Sequence, residues 1–412
     1  MADFYQHRLV PTLHCLTDTP LDVLENPLTL LRQSLPISLV LPAHGMEFER
    51  TALRNILMVL RNVPYLSEII LSTNGLNSKD ARHALETTHR CLDGCRFRLM
   101  WNDGHAIQSF VTQIERLFNF KFTHGKGTNV WLATGYLLAK NEVKVMACHD
   151  SDILNYHREM LSRLCKPTIL PELGYRFCKS YYGRVSDRLY GRVTRLFMQP
   201  LVRGLMKMLG PLPLLEFLES FRYPLSGEFS VQMDLMGRLR LPSDWGLEVG
   251  MLCEVHHHCE PARICQSDLG INFEHKHSHI GYDPTEPHPT FRKGLMKMAY
   301  DISLTLFGKL NAFGVVLGPA QLRTAHSTYL KIAHDSLSCF QHDAIMNGLH
   351  YNLEEEQESV NAFSCALEDA ASTFIAGNIS SKIDLPEWER IYAAHPDLAG
   401  QLIEAVERGV ME

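Results

Sequence analysis

Val143-Lys144-Val145-Met146-Ala147-Cys148, followed at once by His149-Asp150-Ser151-Asp152, is the stretch on which the reading of this chain turns. Its first six residues, apolar apart from Lys144, have the composition of a buried strand. The next four carry two carboxylates two residues apart, just past the strand's carboxyl end. Two such groups can reach one hard cation. An isolated Asp-x-Asp is also what a solvated turn or a helix cap looks like, so its weight depends on its surroundings.

Upstream, three more short apolar runs read as strands: Ile37-Ser38-Leu39-Val40-Leu41, Glu68-Ile69-Ile70-Leu71-Ser72 and Phe97-Arg98-Leu99-Met100-Trp101. Helical spacing fills the gaps at about 46–62, 78–89, 105–118 and 127–140. Strands alternating with helices predict an α/β fold with a central, mostly parallel sheet flanked by helices. Ligands of such sheets sit beyond the carboxyl ends of the strands, which gathers loops 42–47, 72–77, 102–105 and 149–152 around one crevice. Downstream, strands are expected at 174–182, 228–233 and 262–268, with a helix at 186–209. From about 290 the pattern is almost wholly helical. Residues 1–35 read as an irregular arm with one short helix. The acidic Glu354-Glu355-Glu356 and the polar 376–386 mark a helical C-terminal appendage.

The chain has 412 residues, 45% hydrophobic and 21% charged, enough for one large domain with appendages or for two domains. A net charge of -6 offers no general basic field, which excludes nucleic acid as a partner and leaves any anionic substrate to local basic groups. Eleven cysteines without disulfide or zinc-ribbon spacing read as reduced thiols of a cytoplasmic protein. No apolar run is long enough to span a bilayer. The richest stretch, Leu201 to Phe221, is interrupted by Arg203, Lys207, Pro211, Pro213, Glu216 and Glu219. It fits a helix packed on the core better than a membrane-touching flap.

Three features carry chemistry. Magnesium or manganese at Asp150-Ser151-Asp152 would neutralise charge building on a departing nucleoside diphosphate. Gly125-Lys126-Gly127 opens a helix, and its lysine is a point charge suited to a phosphate. It lacks Walker A spacing, and a plain capping loop fits the tripeptide equally well. Glu274-His275-Lys276-His277-Ser278-His279, with His256-His257-His258 upstream, puts histidines on one face and raises a zinc site. Cys253, Cys259 and Cys265 match no zinc module, and 21 histidines make chance clustering common. One histidine as a metal ligand is the preferred reading.

Taken together, these pieces resemble the glucosyl-3-phosphoglycerate synthases of retaining glycosyltransferase family 81, which have the GT-A fold. Pro42-Ala43 with Glu47, Gly125-Lys126-Gly127 and Asp150-Ser151-Asp152 occur in the family's order. They are followed by Lys179-Ser180-Tyr181-Tyr182, Gly191-Arg192-Val193-Thr194 with Pro200-Leu201, and Leu225-Ser226-Gly227-Glu228-Phe229. Gly246-Leu247-Glu248-Val249-Gly250 and Leu269-Gly270 with Glu274-His275 complete the series. The likeness spans about residues 36–310.

The resemblance implies a metal-dependent transfer of glucose from a nucleotide-sugar donor, UDP-glucose first, to 3-phosphoglycerate. It implies Asp152, His275 and Asp150 at a magnesium or manganese ion. Pro42, Ala43, Glu47, Lys126, Asp150 and Trp245 are implied to hold the donor, and Glu248 and Asp152 to stand at the reacting centre. Gly191, Arg192, Val193 and Thr194 are implied to bind the acceptor phosphate. The expected organisation is an N-terminal arm (1–35), a glycosyltransferase domain (36–310, with halves 36–152 for nucleotide and 153–310 for acceptor) and a helical appendage (311–412). A homodimer is expected as well.

Two places depart from the family. Ser72-Thr73-Asn74-Gly75 lacks the loop carboxylate expected near the nucleotide, and His277-Ser278 replaces an asparagine and an arginine near the acceptor. Another donor, such as GDP-mannose, or another small phosphorylated or carboxylated acceptor therefore stands as the alternative. From a different class, a zinc-binding interaction protein on a degenerate transferase fold is the competing reading.

Overall fold

The computed structural model describes residues 6, 9–270, 280, 294–377 and 384–409. Strand β1 (Thr12–Leu13) and helix α1 (Leu21–Leu31) come first. Then follow β2 (Ile37–His44), α2 (Thr51–Leu60), β3 (Leu66–Asn74), α3 (Ser78–Cys91), β4 (Phe97–Trp101), α4 (His105–Phe118), α5 (Lys126–Lys140) and β5 (Val145–Cys148). A second series holds α6 (Arg158–Ile169), β6 (Phe177–Tyr181), α7 (Gln199–Leu209), α8 (Pro213–Glu219), β7 (Phe229–Gln232), α9 (Met233–Met236), α10 (Leu247–His258) and β8 (Ile264–Asp268). Helices α11 (Gly294–Ala312), α12 (Pro319–Met346), α13 (Leu353–Ile375), α14 (Trp388–Ala394) and α15 (Asp397–Arg408) complete it.

The strands form one sheet in the order β1-β8-β6-β7-β5-β2-β3-β4. Only β7 runs against its neighbours β5 and β6; the other pairings are parallel. Both faces are covered, which is why the strands read as continuous apolar runs rather than alternating ones. Leu39, Leu41, Ile69 and Leu71 face a layer built with α1, α2 and α6. Val40, Ile70, Met100 and Met146 face the opposite layer of α4, α5, α7 and α10. Successive side chains point to opposite faces of a strand, so each run supplies both cores at once.

One expected element is shorter than its periodicity suggested. Residues 186–191 are not helical: Val185 and Leu189 form an antiparallel bridge, and Asp187 accepts from Ser186, Arg188 and Tyr190. Gly191 takes a left-handed φ of 72°, and the helix starts behind it with a wide π-type segment, Val193–Met198. Arginine, serine and leucine spacing mimics a helix there, but the Asp187 bonds and the glycine stop it. The apolar stretch from Leu201 becomes α7 and α8, with Leu201, Leu205, Leu215 and Phe217 fully buried. Gly204 lets the α12 backbone at Thr328–Tyr329 come close.

The two ends of the chain are built into the same layers. β1 adds to the sheet edge through β8, and Glu25 of α1 is ion-paired with Arg158 of α6. Trp388 stacks on Trp131 of α5 with ring centroids 4.1 Å apart. Each indole also donates to the other segment's backbone, Trp388 to Trp131 O and Trp131 to Pro386 O, both at 2.7 Å. All eleven cysteines are free thiols. Among the described residues no helix is long and apolar enough to cross a membrane.

Candidate functional site

Parallel strands leave their carboxyl ends side by side, and β2, β3, β4 and β5 end together here. A buried amide network joins three of them. Asn102 donates to Asn129 Oδ1 (2.8 Å) and Ser72 Oγ (2.9 Å), and Asn129 donates to Asn74 Oδ1 (3.0 Å) and Ala43 O (3.5 Å). The loop after β3 has no carboxylate of its own. Asp103, from the end of β4, bonds it instead, accepting from the N–H groups of Gly75 (2.6 Å) and Leu76 (3.2 Å).

Past β5 the acidic pair meets the Gly125-Lys126-Gly127 loop. Lys126 Nζ lies 2.5 Å from Asp150 Oδ1 and 2.9 Å from Glu248 Oε1, the latter in the first turn of α10. Burial disfavours the ammonium, but the Asp150 and Glu248 carboxylates outweigh that and hold its pKa well above the ordinary lysine value. A Cβ at Gly125 or Gly127 would run into the carbonyls of Ser243 and Pro242. The glycines therefore admit the 242–243 backbone, and only the lysine between them reaches the site. Gly227 has a similar reason, because a Cβ there would fill the space that the Asp150 carboxylate occupies.

Behind this front a second charged layer is buried. Glu228 accepts from Tyr182 (2.8 Å) and Ser180 (3.2 Å), and Lys179 donates to Ser226 O. Burial pushes the Lys179 pKa down from 10.5 to about 8, with Lys126 adding to the shift and Glu248 opposing it.

In front of this buried layer lies one cavity of about 720 Å³. Lys126, Asp150, Asp152, Trp245 and Glu248 line one part, and Arg184 with Gly191, Arg192, Val193 and Thr194 another. At the second part a helix begins, and its first N–H groups have no partner within the helix, which suits an anion. Arg192 is already engaged: Nε lies 2.9 Å from Glu356 and Nη2 2.8 Å from Glu355, both from α13. Arg184 is 3.5 Å from Tyr223 Oη, and its buried Nε has no hydrogen-bond partner among the described residues.

Nine of the sequence-derived site residues thus meet at one cavity. Pro42, Ala43 and Glu47 do not line it; they lie at the end of β2 and in the turn behind it, with Glu47 buried and 3.3 Å from Arg50. His275 and the rest of 274–279 lie outside the described residues. Among the described residues no group of three or more His, Cys, Asp or Glu side chains could hold a metal ion. His256, the upstream candidate, packs on Phe217 instead. Asp150 and Asp152 fit a divalent cation as hard oxygen donors that leave positions for diphosphate oxygens. Sequence reasoning did not single out Lys179, Tyr182, Tyr223, Glu228 or Glu355. The first two and Glu228 stood inside quoted motifs, and Arg184 stands in Gly183-Arg184-Val185-Ser186, a short echo of Gly191-Arg192-Val193-Thr194 that reads as a rival acceptor site without the downstream Pro200-Leu201.

A doubly covered, mostly parallel sheet with an Asp-x-Asp pair and a buried lysine at its carboxyl edge defines a nucleotide-sugar glycosyltransferase of the GT-A type. No family model matches the chain. Curated relatives do: glucosyl-3-phosphoglycerate synthase of Persephonella marina is 37% identical over 408 residues, covering 99% of this chain and 98% of the relative. That of Methanococcoides burtonii is 32% identical over 420 residues, covering 100% and 98%. The chain belongs to the glucosyl-3-phosphoglycerate synthase family. Its fold is similar to that of the Mycobacterium tuberculosis glucosyl-3-phosphoglycerate synthase, solved with Mn2+, UDP-glucose and phosphoglyceric acid. That match has a TM-score of 0.51 at 23% identity and covers 73% of this chain and 88% of that one. Mannosyl-3-phosphoglycerate synthase of Rubrobacter xylanophilus gives 0.53 at 19% identity, covering 75% and 84%.

Proposed function

We propose that this chain transfers glucose from UDP-glucose to 3-phosphoglycerate in a metal-dependent, configuration-retaining reaction. The observation that carries the proposal is the single cavity that puts Lys126, Asp150 and Asp152 in reach of the helix opening at Gly191–Thr194. Full-length relatives named for this reaction support it, as does the ligand set of the M. tuberculosis enzyme.

Asp150 and Asp152, with His275, are the residues that would hold Mg2+ or Mn2+. Once bound, the cation supplies Lewis-acid stabilisation of the diphosphate leaving group. Lys126 adds a positive charge beside the diphosphate, and Pro42, Ala43 and Glu47 border the nucleotide. Trp245, 43% exposed at the cavity, offers an aromatic face to the sugar, and Glu248 a carboxylate for its hydroxyls. The N–H groups opening the helix at Gly191, with Arg192, Val193 and Thr194, take the acceptor phosphate. In this reading residues 36–152 serve the nucleotide and 153–310 the acceptor, with the arm and appendage bracing both.

The experiment is a donor screen with 3-phosphoglycerate and Mg2+ or Mn2+, following nucleotide release. UDP release from UDP-glucose is expected, and release from no nucleotide sugar overturns the proposal. GDP-mannose is the second donor arm, because Ser72-Thr73-Asn74-Gly75 carries no carboxylate. A cytoplasmic setting fits the free thiols. A homodimer fits the exposed Val316, Ile345 and Met346 of the C-terminal helical part, and light scattering at micromolar concentration tests it.

A further inference from the structure

Arg192 presents a planar fork to the acceptor end of the cavity, and two different carboxylates hold it. Glu356 is nearly enclosed, with its side chain 5% exposed, and binds Arg195 at 2.9 Å as well as Arg192 at 2.9 Å. It is a fixed counter-charge. Glu355 is different: its side chain is 43% exposed, it lines the cavity, and it reaches Arg192 Nη2 at 2.8 Å. Its other tether is Asn352 Nδ2, 3.1 Å from Oε1. An exposed pair of this kind contributes little stability, so its carboxylate can leave at small cost.

We propose that Glu355 is an internal stand-in for the acceptor anion, occupying the Arg192 fork in the empty enzyme and displaced by the acceptor's phosphate. The inference rests on the acceptor reading of Gly191–Thr194. The physical reason is exchange of like for like: Glu355 holds the guanidinium at Nη2, an anionic phosphate oxygen can accept from the same nitrogen, and the phosphate carries more charge. Glu356 keeps Arg192 aimed while Glu355 leaves, so the fork is pre-organised for the incoming anion. The helical appendage thereby sets acceptor affinity, because every anion at Arg192 has to displace the same competitor.

The test compares Glu355→Gln with wild type in the full-length enzyme. Glutamine keeps the size and the Asn352 contact but removes the competing charge. The expected result is a fall of about two- to fivefold in the KM for 3-phosphoglycerate. The inhibition constant of inorganic phosphate should fall by the same factor, while the donor KM is unmoved. A raised or unchanged acceptor KM in Glu355→Gln overturns the proposal, a rise meaning that Glu355 positions Arg192 rather than occupying it. Arg192→Lys, which keeps the charge but loses the fork, separates this from the acceptor reading itself. If Arg192→Lys leaves the acceptor KM where it was, the acceptor site is elsewhere and the exchange falls with it.

Discussion

The Lys126 ammonium lies 2.5 Å from the Asp150 carboxylate, so the cation of the Gly-Lys-Gly loop and the first acid of the Asp-Ser-Asp motif form one ion pair. A lysine read as a phosphate ligand is, without ligands, the counter-ion of a carboxylate proposed to bind the metal. Replacing it has two opposite consequences. In Lys126→Met, Asp150 loses its competing cation, so Mn2+ alone binds more tightly, measured by electron paramagnetic resonance of free Mn2+. UDP-glucose binding, measured by calorimetry with metal present, weakens by about tenfold or more. Unchanged Mn2+ affinity would show that the pair does not persist in solution.

The carboxylates themselves give the next expectation. Asp152→Asn lowers turnover by at least about a hundredfold, because leaving-group stabilisation is lost while the fold is kept. Gly227→Ala acts on the same place from the other side, its methyl group displacing Asp150. Its metal affinity drops although no ligand has been mutated. Wild-type Mn2+ affinity in Gly227→Ala would mean that the 223–228 loop yields instead.

Lys179 predicts a pH dependence of stability. Its folded pKa of about 8 lies below the ordinary 10.5, chiefly through burial. Between those values the unfolded chain binds more protons, so stability rises with pH across that window, and the penalty of the buried charge is fully present below it. Denaturant unfolding in EDTA should show wild type gaining on Lys179→Met between pH 7.5 and 10.5. The expected gain is on the order of 2–3 kcal/mol. A difference that stays flat with pH would put the lysine at its ordinary pKa.

How much of this was legible in the sequence follows from the range of each interaction. β4 at Phe97–Trp101 and α4 at His105–Phe118 have the bounds that their apolar spacing gives, because that signal is local. The metal-motif acids and Lys126 were found through neighbouring glycines and strand ends. The partner of Arg192 was not: Glu356 is 164 residues away, in an acidic run that reads as solvated surface. Burial of Glu356 depends on where α13 lies against the start of the 193–209 helix, and no periodicity encodes that. The glycines around Lys126 were assigned to ligand approach, whereas tertiary packing against Pro242–Ser243 is what demands them.

The C-terminal segment makes a stability prediction that reaches the site. Trp388 stacks on Trp131, its ring blocks any side chain at Gly135, and Leu385 pairs with Leu241 just before the loop that carries Trp245. Trp388→Ala should cost about 3–5 kcal/mol of unfolding free energy. It should also raise the donor KM, since α5 and the 242–245 loop lose a shared brace. A stability loss with unaltered donor KM would confine the segment to a structural role.

Arg184 and Arg192 make the last prediction, because the two Gly-Arg-Val copies face the same cavity with different partners. Arg192 is bound by two carboxylates, and Arg184 by a tyrosine hydroxyl at 3.5 Å with its buried Nε unpaired among the described residues. An unpaired buried donor is costly, and an acceptor anion would satisfy it. Arg184→Ala is therefore expected to raise the acceptor KM by about tenfold or more, roughly 1.4 kcal/mol. Its unfolding midpoint should hardly move. Arg192→Ala should raise the acceptor KM as well, but it takes one of two guanidinium partners from the buried Glu356, leaving Arg195, and so costs stability too. The pair of readouts separates the roles: an acceptor effect without a stability effect marks direct anion contact at Arg184. If Arg184→Ala leaves the acceptor KM unchanged while Arg192→Ala raises it, the phosphate sits at the second copy alone. If neither variant alters it, the acceptor places no phosphate between them.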